Sequence, residues 1–306
     1  MTGGARSTDA PLLGMAAAVA AFFCLNVMSL FAKLLSDTHH VADLAFWRNF
    51  IALAPFFVTI VILGRWDTLK IHSNPRIIVL RSLVGTLNIL LVFGAFSLLP
   101  MAHATALIFA SSLFTPILGF LVLGEHVGPN RWSAVIVGFV GVLIVAQPGT
   151  EASWSMLGVA LGLTAACVNS TLGLMLRVLG RSETPETMTF YFLLIGAVML
   201  APTMPFVATM PARDEILLLL GLGFSGALMQ LFMSTAFKYA PAALVSPITY
   251  TQIVWATLFG WTIFGDFPTM TILIGSAIII VSSLIVILRE RHLARKGRLA
   301  RPPVED

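Results

Sequence analysis

Charge is what this chain of 306 residues has least of. Only 10% of its residues are Asp, Glu, Lys or Arg, against roughly 25% in an ordinary soluble protein. Cysteine is nearly absent too: Cys24 and Cys167 each lie inside an apolar stretch, which excludes a disulfide framework and a zinc-ligand pattern. No Asp or Glu falls in the middle of a long apolar run. A buried carboxylate proton relay and an aspartyl-protease pair are therefore not legible. What fills the chain is apolar surface, 58% of residues, with a mean hydropathy of +0.94. A soluble core cannot hide that much, so soluble enzymes, nucleic-acid binders and disordered scaffolds are excluded. The remaining solvent is lipid. The net charge of +4 follows membrane topology rather than a nucleic-acid patch.

A spanning helix needs about 20 mostly apolar residues. Ten stretches meet that measure: 12–35, 43–63, 77–98, 102–123, 132–147, 157–177, 188–208, 216–236, 242–264 and 269–288. Short connections rich in Pro, Gly or charge separate them, and none is long enough for a soluble domain. Lipid-exposed backbone must satisfy its own hydrogen bonds, so the spans read as helices. The first apolar run lacks a cleavage-site pattern and reads as an uncleaved span. Cytoplasmic loops are enriched in Lys and Arg. With the N-terminus inside, Arg6, Arg65, Lys70, Arg76, Arg131, Arg181 and Lys238 all fall inside, as does the Arg-rich tail 289–306. Only Arg213 is left in an outer loop. Both termini are expected in the cytoplasm.

The chain also repeats itself. A shift of 141 residues sets Gly85, Phe96, Pro100, Gly119 and Gly124 on Gly226, Phe237, Pro241, Gly260 and Gly265, with Glu125 on Asp266. A shift of 143 sets Cys24 and Asn26 on Cys167 and Asn169. The halves are then spans 1–5 and 6–10. Five is odd, so the second half enters the membrane from the opposite side. Inverted repeats of this kind are a feature of secondary transporters, with the substrate site near the midplane between them.

Several local motifs point the same way: Gly124-Glu125 closing span 4, Trp47-Arg48-Asn49 early in span 2, Leu80-Arg81 opening span 3, and Pro100 before span 4. In these the chain resembles the EamA domain, two of which in tandem make the drug/metabolite transporter superfamily. The resemblance covers roughly residues 12–288. It implies an all-α integral membrane fold of ten transmembrane helices, as two inverted five-helix repeats, 12–147 and 157–288, followed by the basic tail. It also implies a central cavity lined mainly by spans 1, 3, 4, 6, 8 and 9. Within the superfamily, spans 3 to 5 are similar to bacterial members that take up S-adenosylmethionine or riboflavin. One departure stands out. The second half has Phe190-Tyr191-Phe192 where the first has Phe46-Trp47-Arg48, so Arg48 has no charged counterpart.

Some motifs have blander readings. Gly221-Leu-Gly223-Phe-Ser-Gly226 matches a dinucleotide fingerprint, but it lies inside an apolar helix with no preceding strand and no acid about twenty residues on. Small residues there suit close helix packing. Gly223-Phe-Ser225-Gly226 also resembles the serine motif of rhomboid proteases, yet spans 9 and 10 offer no histidine base. His103, at the start of span 4, reads as an interfacial or packing residue. His39 and His40 read as solvated neighbours in an outer loop and a poor metal pair. Trp66, Trp132 and Trp154 fall near span ends, as interfacial aromatics do.

Polar side chains deep in a bilayer face protein or a water-filled cavity. The candidates for substrate binding are therefore Asn26, Asn88, Asn169, Gln230, Tyr250, Trp255 and Arg48. Ser29, Ser111, Ser112, Ser246, Thr249 and Gln252 are further polar positions, each also readable as an interhelical hydrogen bond, the favoured reading for Ser111 and Ser112. Pro247 is expected to bend span 9. Tyr250 with Trp255 suggests an aromatic wall for a planar ligand. Arg81 and Lys33 lie near span ends and are expected to snorkel to the interface. Arg48, also within reach of the interface, is expected either to snorkel there or instead to attract an anionic substrate group or pair with Asp43. The cavity is otherwise read as uncharged. The expected function is inner-membrane transport of a small organic metabolite by alternating access. The sequence leans to a planar solute such as riboflavin, with S-adenosylmethionine or an amino acid as alternatives. The only partners implied are the solute and the bilayer, and no cofactor or metal is.

Overall fold

The computed structural model describes residues 11–71, 75–123, 129–146, 155–179, 183–240, 245 and 248–299. Ser246, Pro247, Trp154 and the Gly124-Glu125 pair lie outside them. Among the described residues every regular element is helical. The helices are α1 (Pro11–Leu34), α2 (Val41–Ile62), α3 (Pro75–Leu98), α4 (Met101–Phe109), α5 (Ser111–Leu123) and α6 (Pro129–Ala146). After them come α7 (Met156–Leu179), α8 (Pro185–Leu200), a short α9 (Met204–Val207), α10 (Arg213–Tyr239), α11 (Thr251–Phe264) and α12 (Met270–Leu299). Among the described residues seven helical stretches are long and apolar enough to cross a membrane, and Trp132–Ala146 and Met270–Ile285 are shorter apolar helices. At 1.5 Å per residue a 24-residue helix such as α1 is about 36 Å long, enough for a hydrocarbon core of about 30 Å.

Helix ends follow local chemistry. Thr184 caps α8, its hydroxyl accepting from the Thr187 N–H at 3.2 Å, with Pro185 at the first helical position. The α11 C-terminus closes on Gly265, whose φ of 71° is the left-handed conformation that glycine adopts without penalty, and Asp266 N–H donates back to Gly260 at 2.9 Å. Lys33 does not snorkel. Its Nζ donates to the Phe96 and Leu99 carbonyls at 3.1 and 2.6 Å and so caps the negative end of α3. His39 is not solvated either. It is buried, with Nδ1 2.6 Å from Asp43 and Nε2 3.4 Å from Glu215, and it ties α2 to the start of α10. The expected span 4 breaks in two at Ala110, six residues before Pro116.

The helices pair in a definite pattern. α1 lies along α10, and α3 lies along α7. α2 packs on α10 and α8, while α8 packs on α3. α6 and α12 run against each other, and α4 touches both α7 and α11. Small residues permit these approaches. A Cβ on Gly141 of α6 would stand 2.9 Å from the Gly275 carbonyl oxygen of α12, and a Cβ on Gly275 would stand 2.9 Å from the Gly141 oxygen. The glycines of the apparent dinucleotide fingerprint serve the same purpose: Gly221 faces Phe31 of α1, Gly223 faces Ile51 of α2, and Gly226 faces Met28 and Arg48. Large apolar side chains such as Val58, Leu121, Ile136, Leu217 and Val281 point outward. A soluble protein would bury them; here they meet lipid.

Candidate functional site

The polar residues of α1 and α3 are spaced to one side. Asn26 and Ser29 are three apart; Arg81, Gly85 and Asn88 recur at intervals of four and three, one stripe of a 3.6-residue helix. Both stripes face a cavity of about 420 Å³ between the helices. Asn26, Arg48, Arg81, Asn88, Asn169 and Gln230 all line it. Thr249 and Gln252, at and just inside the start of α11, line it as well. Phe22, Phe93, Phe96, Phe109 and Phe192 supply its aromatic walls. The lining comes from spans 1, 3, 4, 6, 8 and 9, as the resemblance implied, with single additions from α2 (Arg48) and α8 (Phe192).

Five of the seven candidates thus border one cavity. Asn26 is 2% exposed and its Nδ2 donates to the Phe22 carbonyl at 2.9 Å, which directs the amide along its own helix. Asn88 Oδ1 is buried without a hydrogen-bond partner. Asn169 and Gln230 approach from α7 and α10.

Tyr250 and Trp255 are not among the cavity-lining residues. Tyr250 packs edge-on against Phe109, ring centroids 5.4 Å apart, with its hydroxyl near Ser112 and Ser283. Trp255 packs edge-on against Phe23 at 5.0 Å. Where the chain turns into α11, Thr249 and Gln252 take the cavity side, and the two larger rings are left to neighbouring helices. Ser112, hydrogen-bonded to Ser283 of α12, joins two helices rather than lining the cavity. Ser225 donates to the Gly221 and Leu222 carbonyls of its own helix at 2.6 and 3.1 Å, as a packing serine does.

The cavity is not uncharged. Arg48, 2% exposed, turns away from Asp43 and donates from Nη1 to Asn49 Oδ1 at 2.7 Å. Arg81 does not snorkel outward; it points into the cavity, where Nη1 lies 3.4 Å from the Met188 carbonyl. The two guanidinium groups converge on one ring, 5.5 and 4.6 Å from the Phe192 centroid. Among the described residues no Asp or Glu lines the cavity. Neither Phe192 nor the inward turn of Arg81 was read from the sequence. The Arg81–Gly85–Asn88 stripe was the signal that could have revealed the latter.

These features define a multi-pass membrane protein whose polar groups converge on an internal cavity. The EamA-like transporter family matches the chain in two tandem regions, residues 12–147 and 156–288, and the chain belongs to that family. It is 32% identical to an S-adenosylmethionine uptake transporter of Rickettsia bellii over 90% of this chain and 95% of the relative. It is 27% identical to a pseudopaline exporter of Pseudomonas aeruginosa over 89% and 94% of the two chains. A protein of known crystal structure shares the fold with a TM-score of 0.59 at 18% identity, covering 88% of this chain and 97% of that one. The family and the named relatives are transporters rather than enzymes.

Proposed function

We propose that this protein is an inner-membrane secondary transporter that takes up S-adenosylmethionine. The observation that carries the reading is the cavity between the helices, where amides from α1, α3, α7 and α10 meet a set of phenylalanine rings. Amides offer both donors and acceptors to an adenine edge, and aromatic faces suit a planar base and a sulfonium cation. Relatives from several Rickettsia species carry the same substrate name at 30–32% identity. The lean to riboflavin has no such support, and the S-adenosylmethionine alternative fits better.

In this reading the chain has ten spans as two inverted halves, 12–147 and 157–288, with both termini and the 289–306 tail cytoplasmic. The helix pairing supports it. Exchanging each span for the one five places on turns the α1–α10 contact into α7–α3, and α2–α10 into α8–α3. Contacts α2–α8 and α6–α12 map onto themselves. Side chains follow suit: aligning the halves sets Arg48 on Phe192 and Gly85 on Gly226. A Cβ on Gly85 would meet Phe192 at 2.7 Å, and one on Gly226 would meet Arg48 at 3.1 Å. Rocking of two such halves about a shared site gives alternating access. Asn26, Asn88, Asn169, Gln230 and Arg48 are then substrate ligands, and Tyr250 and Trp255 support the wall from behind.

The test is uptake of radiolabelled S-adenosylmethionine into vesicles containing only the purified protein. Saturable accumulation that unlabelled S-adenosylmethionine displaces, and riboflavin does not, supports the reading. No accumulation in either direction of loading rejects it.

A further inference from the structure

We propose that Arg48 and Arg81 form a carboxylate-binding subsite at one end of the cavity, selecting substrates that carry an anionic oxygen group. The inference rests on the transport reading above and gives that site a chemical requirement. Two guanidinium groups share the Phe192 ring, one at 5.5 Å and the other at 4.6 Å. Neither makes an ion pair with a described residue, and no described residue of the cavity lining is an acid. Desolvated cations are costly unless an opposite charge joins them, and here two of them repel each other as well.

Their hydrogen bonding indicates which edge is open. Nη1 of Arg48 already donates to Asn49, and Nη1 of Arg81 approaches the Met188 carbonyl. Nε of each is buried without a partner. That leaves the Nε–Nη2 edge of each guanidinium, a planar fork that matches a carboxylate with two parallel hydrogen bonds. Gly226 keeps the Arg48 edge uncovered, since a Cβ there would stand 3.1 Å from Nε. A carboxylate seated between the two forks supplies the missing charge and the missing acceptors together. Along α3 the subsite lies about 10 Å from Asn88 by helix rise. This separation lets an amino-acid carboxylate and a distant base occupy opposite ends of one cavity.

The test compares binding of S-adenosylmethionine with that of decarboxylated S-adenosylmethionine, using the purified full chain in detergent. The second compound keeps the adenosine and the sulfonium and lacks only the carboxylate. Wild-type protein is expected to prefer the first by about tenfold or more, the scale of a charged hydrogen-bonded pair. Arg48→Gln and Arg81→Gln are expected to reduce that preference to less than about threefold, and Arg81→Lys to retain part of it through its charge. Equal affinity of wild type for the two compounds overturns the subsite, as does an unchanged preference in both Gln variants. If the Gln variants do not fold, the wild-type preference and the Arg81→Lys value decide.

Should neither adenosyl compound bind, the S-adenosylmethionine reading fails by itself, and malonate, malonamide and inorganic phosphate decide the subsite. Malonate binding that is absent for malonamide and weakened in Arg81→Lys upholds it. Tighter binding of phosphate than of malonate overturns the carboxylate assignment, and no anion binding overturns the subsite altogether.

Discussion

Asn88 lines the cavity with Oδ1 buried and without a partner, and that combination separates a binding role from a packing role. Replacing it by leucine removes a carbonyl that has nothing to accept from within the protein. An unsatisfied buried polar group costs about 1–3 kcal/mol, so Asn88→Leu is expected to leave the ligand-free protein equally stable or slightly more stable. The bound state responds in the opposite sense. A substrate N–H that Asn88 would have accepted then loses its partner in a desolvated site. The loss is about 1–3 kcal/mol, roughly five- to 150-fold in affinity. Thermal unfolding of the detergent-solubilised variant, without and with S-adenosylmethionine, reads both quantities on one sample. A lower unfolding temperature without ligand, together with unchanged affinity, would refute the reasoning and make Asn88 a packing residue.

Two further outcomes are expected. Gly141→Ala places a methyl 2.9 Å from the Gly275 carbonyl oxygen and from Ile278 Cγ2, so it should destabilise the protein by about 1–3 kcal/mol; unchanged unfolding in detergent would contradict the close α6–α12 approach. A topology reporter fused after Arg298 should be active only in its cytoplasmic form, and one inserted at Glu151 only in its external form; the same side for both would rule out the ten-span arrangement.

The sequence revealed the membrane class and the all-helical architecture because lipid imposes a length and an apolar composition that a single pass along the chain can measure. It revealed most of the polar cavity lining for a related reason: an amide in mid-span is costly unless it faces something polar. It did not reveal which side of its helix a residue near a span end occupies. Arg81 and Lys33 were both placed at the interface by their distance from a span end. Yet one turns into the cavity and the other caps α3, outcomes that depend on neighbouring helices. His39 was likewise judged from loop position, whereas its burial comes from Asp43 and Glu215, the latter far along the chain. Tyr250 and Trp255 were grouped with Thr249 and Gln252 because all lie close in sequence. The packing of α11 on α1 and α4 sends them elsewhere. The break at Ala110 escaped notice because hydrophobic periodicity does not register a one-residue interruption.

Transport itself is best tested by counterflow. Vesicles containing only the purified protein are preloaded with unlabelled S-adenosylmethionine and exposed to a trace of the labelled compound outside. Alternating access through one shared site predicts a transient accumulation of label above the outside concentration, absent from vesicles without protein. Label that never exceeds its level in protein-free vesicles would contradict S-adenosylmethionine transport by this chain.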